Sequence, residues 1–203
     1  MKTFVRMFVI ALLIGFSIPA FAEEAAAPAA PAMSAEEQAK MAEMQKRMTP
    51  GAEQKVLEAM AGKWTYKGTF WMPDGKSQES NGTAMSEMIY GGRFLKETVT
   101  GTWMGQPFEG VGITGYDNVK GEYTSIWYDN MATGIMVSSG LFDAATKTLK
   151  LGGTVSCPMT GIKDMPMRSE TVITDNNTHT MTSYGTMDGK ESKGMELVST
   201  RVA

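Results

Sequence analysis

The sequence has few of the residues on which common catalytic and metal sites depend. Its 203 residues include one cysteine, Cys157, and one histidine, His179. A single cysteine excludes an internal disulfide, and a single histidine excludes a His-x-x-x-His metal pair. Neither a Gly-x-Ser-x-Gly elbow nor a glycine-rich phosphate loop is present. The sequence therefore gives no direct indication of a hydrolase or a nucleotide-binding enzyme.

Long apolar runs are also missing. The longest lies in "MKTFVRMFVIALLIGFSIPAFA", where Lys2 and Arg6 precede an apolar stretch from Met7 to about Phe16. This stretch is about half the roughly 20 residues that a membrane-spanning helix needs. A short apolar run after basic residues, followed by Pro and Ala-Phe-Ala, is typical of a secretory signal peptide. We expect cleavage after Ala22 and a periplasmic or secreted protein with no integral membrane association.

The chain has no excess of positive charge. It contains 19 basic and 22 acidic residues, for a net charge of −3 at pH 7. The signal peptide accounts for two of the basic residues, so the mature chain is more acidic still. Without a cationic stripe to displace phosphate counterions, nucleic acid is not an expected partner.

The mature chain begins with segments that differ in composition from the rest. Residues 23–33 are rich in Ala and Pro and are predicted to form a linker. Residues 34–61 are predicted to be helical: Ser34 and Glu37 form a capping box, and Thr49-Pro50 offers a start for a second helix over 50–61. The remaining residues, 62–203, are predicted to form one β domain.

From Lys63 onward, apolar residues alternate with polar ones, and turn signals recur about every 8–14 residues. They include Pro-Asp-Gly at 73–75, Asn81-Gly82, Asp117-Asn118 and Asp188-Gly189. This pattern predicts about ten antiparallel strands in an up-and-down meander. Because a flat sheet of that size would leave two exposed edges, closure into a β-barrel is favoured over a two-sheet sandwich.

The stretch "ITGYDNVKGEYTSIWYDN" at 113–130 predicts a particular hairpin. If 118–121 form the loop, Tyr116 lies opposite Tyr123, Gly112 opposite Trp127, and Gly110 opposite Asp129. Glycines opposite an indole allow the ring to lie flat over the neighbouring backbone. We expect this Gly/Tyr/Trp/Asp face to line the barrel interior, although Val111, Ile113, Ile126 and Tyr128 make the other face partly apolar too.

Several short motifs together resemble a bacterial domain-of-unknown-function family, number 1579. The resemblance covers about residues 50–201 and is carried by Trp64, Gly91-Gly92-Arg93-Phe94-Leu95, Gly115-Tyr116-Asp117, Trp127-Tyr128-Asp129, Gly140, Pro166-Met167-Arg168 and Arg201. It implies a lipocalin-like, calycin-type barrel and no particular activity. The Ala/Pro linker, the first helix and "SCPMTG" lie outside this pattern.

The function expected from these observations is binding of a small, partly apolar ligand in the barrel. Aromatic side chains would form the wall of the cavity, and a few polar groups would orient the ligand. The expected lining residues are Trp64, Tyr66, Arg93, Tyr116, Trp127, Asp129, Arg168 and Arg201.

Three alternatives remain open at this stage. Methionine is abundant, with 19 in the chain, and Cys157, Met159, Met165 and Met167 could bind Cu(I) through soft sulfur ligands. Met also fills irregular cores, which is the simpler explanation. Carboxylates such as Glu97, Asp129 or Glu170 could instead serve acid–base catalysis. His179, expected to be a solvated residue after the turn "TDNNT", could ligate haem if it faced the interior.

Overall fold

The computed structural model describes residues 33–72 and 74–202. The predicted signal peptide and all but the last residue of the linker lie outside the described residues. Within them, none of the helices is long and apolar enough to cross a membrane.

Ten antiparallel strands form a closed up-and-down barrel, which confirms the predicted fold class. Each strand pairs with its neighbours in the chain, and β1 pairs with β10 to close the sheet. The strands are β1 Gly62–Trp71, β2 Ser77–Ile89, β3 Phe94–Trp103, β4 Gln106–Asp117, β5 Glu122–Asp129, β6 Met136–Asp143, β7 Thr148–Val155, β8 Met165–Asp175, β9 Thr178–Met187 and β10 Lys190–Arg201.

Two helices precede the barrel, α1 at Ala35–Met48 and α2 at Ala52–Glu58. The capping box at the start of α1 is present, with Ser34 N donating to Glu37 Oε2 at 2.8 Å. The second helix is shorter than predicted. The Thr49 hydroxyl donates back to Gln45 O at 2.7 Å and so closes α1 instead of opening α2. Gly51 is the N-cap of α2, and its N–H donates to the Gln54 side chain.

The hairpin of β4 and β5 has the predicted register. Tyr116 pairs with Tyr123, Gly112 with Trp127, and Gly110 with Asp129. The Gly/Tyr/Trp/Asp face points inward, as expected, whereas Tyr128 is 42% exposed on the outer face. The strict alternation of strand side chains then fixes the orientation of both strands.

One predicted turn is wrong. Asn81-Gly82 lies in the middle of β2, where Gly82 pairs with Tyr66 on one side and Gly101 on the other. A Cβ at Gly82 would come within 2.7 Å of the Tyr66 ring and hydroxyl. This glycine therefore makes room for an inward-facing ring and does not bend the chain.

Helix α2 packs over one end of the barrel and closes it. Leu57 is fully buried there, in a cluster with Met60, Leu95 and Leu149 at the ends of the strands. The Tyr123 hydroxyl donates to Glu53 O at 2.8 Å and ties the helix to β5. Burial raises the pKa of Tyr123 to about 12, so this hydroxyl keeps its proton at neutral pH.

Candidate functional site: the barrel cavity

The barrel interior is not filled by its own side chains. A cavity of about 1450 Å³ runs from Met60, beside α2, to the loops at the opposite end of the barrel. Its lining there includes Ala132 and residues 134–136 and 156–160, and Ile135 is 66% exposed. The cavity therefore has a closed end under α2 and a loop end that reaches the surface.

Trp127 forms the centre of the aromatic wall. Its indole lies over Gly110 and Gly112 of the neighbouring strand, where any Cβ would collide with it or press on it. The Phe108 ring stacks nearly parallel to it, with ring centroids 6.3 Å apart. Trp127 Nε1 donates to Asp129 Oδ2 at 2.8 Å, and Met131 N donates to Asp129 Oδ1 at 2.9 Å. Asp129 thus holds the indole in place with both carboxylate oxygens.

Trp64 and Arg201 close the end under α2. The Arg201 guanidinium lies 4.1 Å from the centroid of Trp64 and donates to the carbonyl oxygens of Ala59, Ala61 and Asn176. The ring of Trp64 is 1% exposed, and its Nε1 donates to Met60 O at 2.9 Å. Trp64 on β1 and Arg201 on β10 thus bind the segment that follows α2. Neither residue lines the cavity.

His179 is buried and not solvated, contrary to the sequence-based expectation. It is 9% exposed, lines the cavity, and packs edge-on against Trp64 with centroids 4.4 Å apart. Its Nδ1 is a buried polar atom with no hydrogen-bond partner among the described residues. Burial, and secondarily the charge of Arg201, lower the pKa of His179 to about 4, so the ring is neutral at pH 7.

The expected lining residues divide into two groups. Tyr66, Trp127 and Asp129 line the cavity. Tyr116 packs against Tyr123 near α2, with ring centroids 4.9 Å apart. Together with Trp64 and Arg201, it supports the closed end without reaching the cavity surface.

Two of the expected arginines lie outside the barrel. Arg168 forms ion pairs with Glu170 and Glu191 at 2.7 Å and stacks on Tyr184 at 3.7 Å. Its neighbours at 167 and 169 line the cavity, so the two-residue period of β8 turns Arg168 outward. Arg93 donates to Tyr90 O and Met48 O at 3.0 Å and joins α1 to the β2–β3 turn.

Glu97 was considered at the sequence level only as an acid–base candidate, yet it lines the cavity. It lies on β3 between Leu95 and Val99, opposite Ser86 on β2 and Gly112 on β4. Burial raises the pKa of Glu97, and a hydrogen bond with Ser86 offsets part of this rise. Because strand side chains alternate between the two faces, a glutamate midway between the buried Leu95 and Val99 could have been predicted to face the cavity.

Methionine side chains line much of the remaining cavity wall. Ten methionines contribute: Met60, Met72, Met131, Met136, Met159, Met165, Met167, Met181, Met187 and Met195. Cys157 lies among the loops at the open end. Burial raises the pKa of its thiol, but hydrogen bonds from Thr160 and from the Met159 backbone outweigh this effect and leave the pKa below its usual value. Across residues 33–72 and 74–202, no group of three His, Cys, Asp or Glu side chains could hold a metal ion.

Residues 49–201 match the family described as "Protein of unknown function (DUF1579)". The chain belongs to this family. The match spans α2 and the whole barrel and confirms the resemblance seen in the sequence. No curated protein sequence matches this DUF1579 chain significantly.

Two solved structures are similar to this chain at low sequence identity. The crystal structure of Rv2717c from M. tuberculosis aligns over 76% of this chain and 100% of its own, with 14% identity and a TM-score of 0.58. The structure of EF1p2_mFAP2b bound to DFHBI aligns over 74% of this chain and 100% of its own, with 14% identity and a TM-score of 0.40. At this identity, the similarity to Rv2717c supports the barrel fold alone.

Proposed function

We propose that this DUF1579 protein is exported and binds a small, partly apolar molecule inside its barrel. The observation that carries the proposal is the unfilled cavity of about 1450 Å³. Ligand pockets commonly measure about 300–1,000 Å³ and combine an apolar wall with a few polar groups. This cavity is larger than that range, and its aromatic and thioether side chains supply the apolar wall while its serines supply polar groups.

Trp127 and Tyr66 would supply rigid contact surface for the ligand. Each ring lies over two glycines of the neighbouring strands, so both are held by the backbone and lose little freedom when a ligand binds. The methionine side chains opposite would adapt to the shape of the ligand, because an unbranched thioether changes rotamer easily. A rigid wall facing an adaptable one suits a molecule with a flat or branched apolar body.

The test is native mass spectrometry on the mature protein, purified from its export compartment without refolding. We expect an additional mass in the range of a lipid or metabolite. Trp127→Ala should remove or weaken this association, and Tyr90→Ala is the control because its aromatic ring is 75% exposed and does not line the cavity. A bare polypeptide that also takes up no added apolar probe would refute the proposal.

The export part of the proposal rests on the N-terminal sequence "MKTFVRMFVIALLIGFSIPAFA". N-terminal sequencing of protein recovered from outside the cytoplasm should give a chain that begins at Glu23. Full-length protein retained in the cytoplasm would refute export and leave the ligand-binding proposal untouched.

A second candidate function is Cu(I) binding at the loop end of the cavity. It is favoured by one observation: Cys157, Met159, Met165 and Met167 all lie along the same cavity wall. A thiol whose pKa is below its usual value would be a better ligand for a soft cation. Competition with a Cu(I) chelator should show tight binding that Cys157→Ser abolishes and Trp127→Ala preserves.

A further inference from the structure

Three carboxyl groups line the cavity, those of Glu97, Asp129 and Asp188, and Glu97 is the one that lies toward the closed end. Glu97 lines the cavity wall on β3, and no Lys, Arg or His among residues 33–72 and 74–202 forms an ion pair with it. Its neighbours across the sheet are the Ser86 hydroxyl and the bare backbone of Gly112. An acidic side chain in an apolar interior is costly unless something compensates its charge.

The other two carboxylates differ from Glu97, because Asp188 lies in the exposed turn after β9 and Asp129 is held by two hydrogen bonds. Asp129 accepts hydrogen bonds from Trp127 Nε1 and from Met131 N, one on each oxygen. It therefore explains the position of the indole and needs no further partner. Glu97 differs because the Ser86 hydroxyl is the one hydrogen-bond partner assigned to it among the described residues.

The basic residues of the lining are far along the barrel from Glu97 or carry no charge. Lys190 and Lys193 belong to the start of β10 at the loop end, and Lys193 is paired with Glu196 at 2.6 Å. Glu97 is two residues from Leu95, in the cluster that closes the opposite end. His179 at that end is neutral at pH 7. The lining of the deep half thus contains an acidic side chain and no cationic one, whereas the Arg201 guanidinium at that end lies outside the lining and donates to three carbonyl oxygens.

An aromatic side chain lies two strands away from the same carboxyl group, with only a glycine between them. Glu97, Gly112 and Trp127 occupy successive positions across β3, β4 and β5. Because Gly112 has no side chain, the Trp127 indole extends over it, toward the strand that carries Glu97. A carboxylate beside an indole face is an arrangement that attracts organic cations through both charge and cation–π contact.

We propose, building on the ligand-binding function above, that the cavity selects amphipathic cations, with the ammonium group of the ligand at Glu97 and its apolar body along Trp127 and the methionines. The Ser86 hydroxyl and the Glu97 carboxylate would accept hydrogen bonds from a primary or secondary amine. Anionic ligands such as fatty acids would be disfavoured, because the arginines expected to receive them lie elsewhere.

The ionisation of Glu97 then depends on the occupant. In the empty cavity, burial raises the pKa of this carboxyl. A bound ammonium group favours the charged carboxylate and reverses that effect. Binding of a cationic ligand would therefore favour the ionised form of Glu97, and the two opposite charges would compensate each other.

The experiment compares three ligands that share one tail: decylammonium, decanol and decanoate. Each is titrated at pH 7.5 against protein loaded with the neutral fluorescent probe N-phenyl-1-naphthylamine. In the unmodified protein, we expect decylammonium to displace the probe at a concentration at least about tenfold lower than decanol. In Glu97→Gln, this preference should disappear while decanol still competes.

Glu87→Gln is the matched control. Glu87 is also a β-strand glutamate, but it is exposed on the outer wall, 3.9 Å from Lys96. It should keep the full preference for decylammonium. Thermal unfolding of both variants verifies that each is folded.

The outcomes separate this inference from the function on which it rests. If the probe and decanol bind but decylammonium binds no better, or if the preference persists in Glu97→Gln, selection of cations is refuted and the ligand-binding function stands. If neither the probe nor any of the three ligands binds, the proposed function fails and this inference fails with it.

Discussion

His179 should make the barrel less stable as the pH falls below neutrality. Its imidazole is buried against Trp64 with Arg201 on the far side of that ring, and its pKa is lowered from 6.5 to about 4. The unfolded chain therefore binds a proton between these two values, whereas the folded chain does not. The stability contributed by the neutral ring is present above about pH 6.5 and is lost as the pH falls toward 4.

The magnitude follows from the two pKa values. One pKa unit corresponds to about 1.4 kcal/mol, and the lowering from 6.5 to about 4 is roughly 2.5 units. The free energy of unfolding should therefore fall by about 2 kcal/mol between pH 7.5 and pH 5, and by about 3 kcal/mol by pH 4. Because there is one histidine in the chain, the part of the change that is lost on substitution of His179 can be assigned to its ring.

The assay is urea unfolding followed by tryptophan fluorescence at intervals between pH 7.5 and 5. It compares the unmodified protein with His179→Leu, which removes the titrating ring and its unpartnered Nδ1. Met181→Leu serves as the control, because Met181 lines the cavity two residues further along β9 and does not titrate. Glu97, whose pKa is raised, contributes in the opposite direction and does so equally in all three proteins.

The expected result is a stability difference between His179→Leu and the unmodified protein that grows in favour of the variant as the pH falls. Met181→Leu should shift the free energy of unfolding by a constant amount across the range. A difference for His179→Leu that stays constant from pH 7.5 to 5 would show that the ring titrates normally, and the reasoning from burial would then be wrong.

Two further substitutions test the packing around the cavity. Gly110→Ala should displace the indole of Trp127, because the new Cβ would overlap its six-membered ring. It should destabilise the fold by about 1–3 kcal/mol and shift the tryptophan emission. An unchanged spectrum would contradict the position of the ring. Arg201→Ala should lower the free energy of unfolding in urea by about 2–4 kcal/mol, since three carbonyl oxygens lose a charged donor. Arg93→Ala removes exposed contacts and should lower it by less than about 1 kcal/mol.

The sequence was sufficient to predict the strand pairing where turn length and side-chain size agreed. In the β4–β5 hairpin, a short polar loop fixed the register, and the small residues opposite Trp127 and Asp129 indicated the inward face. The same local logic failed at Asn81-Gly82. There the glycine is required by the ring of Tyr66 on the neighbouring strand, and no local pattern distinguishes that requirement from a turn.

The orientation of the charged residues was harder to predict. Arg168 and Glu97 lie in strands where polar and apolar residues do not alternate strictly. In either strand, an error of one position in the predicted register moves the charged side chain to the opposite face of the sheet. The arginines looked suited to binding a ligand, yet Arg168 pairs with two glutamates that come from different strands. The pair with Glu191 depends on the packing of β8, β9 and β10 side by side and cannot be recognised from spacing along the chain.

The open cavity could not be predicted from composition either. An abundance of methionine is compatible with a filled core and with a lined cavity, because the same flexible side chain serves both. What decides between them is the circumference of a ten-stranded barrel relative to the volume of its inward side chains. Glycine and serine occupy many inward positions here, including Gly112, Ser86, Ser125 and Ser183, and leave the interior unfilled.

The pairing of the first strand with the last has a consequence for biosynthesis. Trp64 lies beside Arg201 in the sheet, so the cylinder cannot close until nearly the whole chain has left the ribosome. A contact between such distant segments forms slowly, since the loop between them must first be brought together. Until then, β1 and β9 have unpaired edges and the chain has no finished tertiary structure. If the protein is exported as proposed, a barrel that closes only when β10 is available would leave the chain extended long enough to pass through a translocation channel.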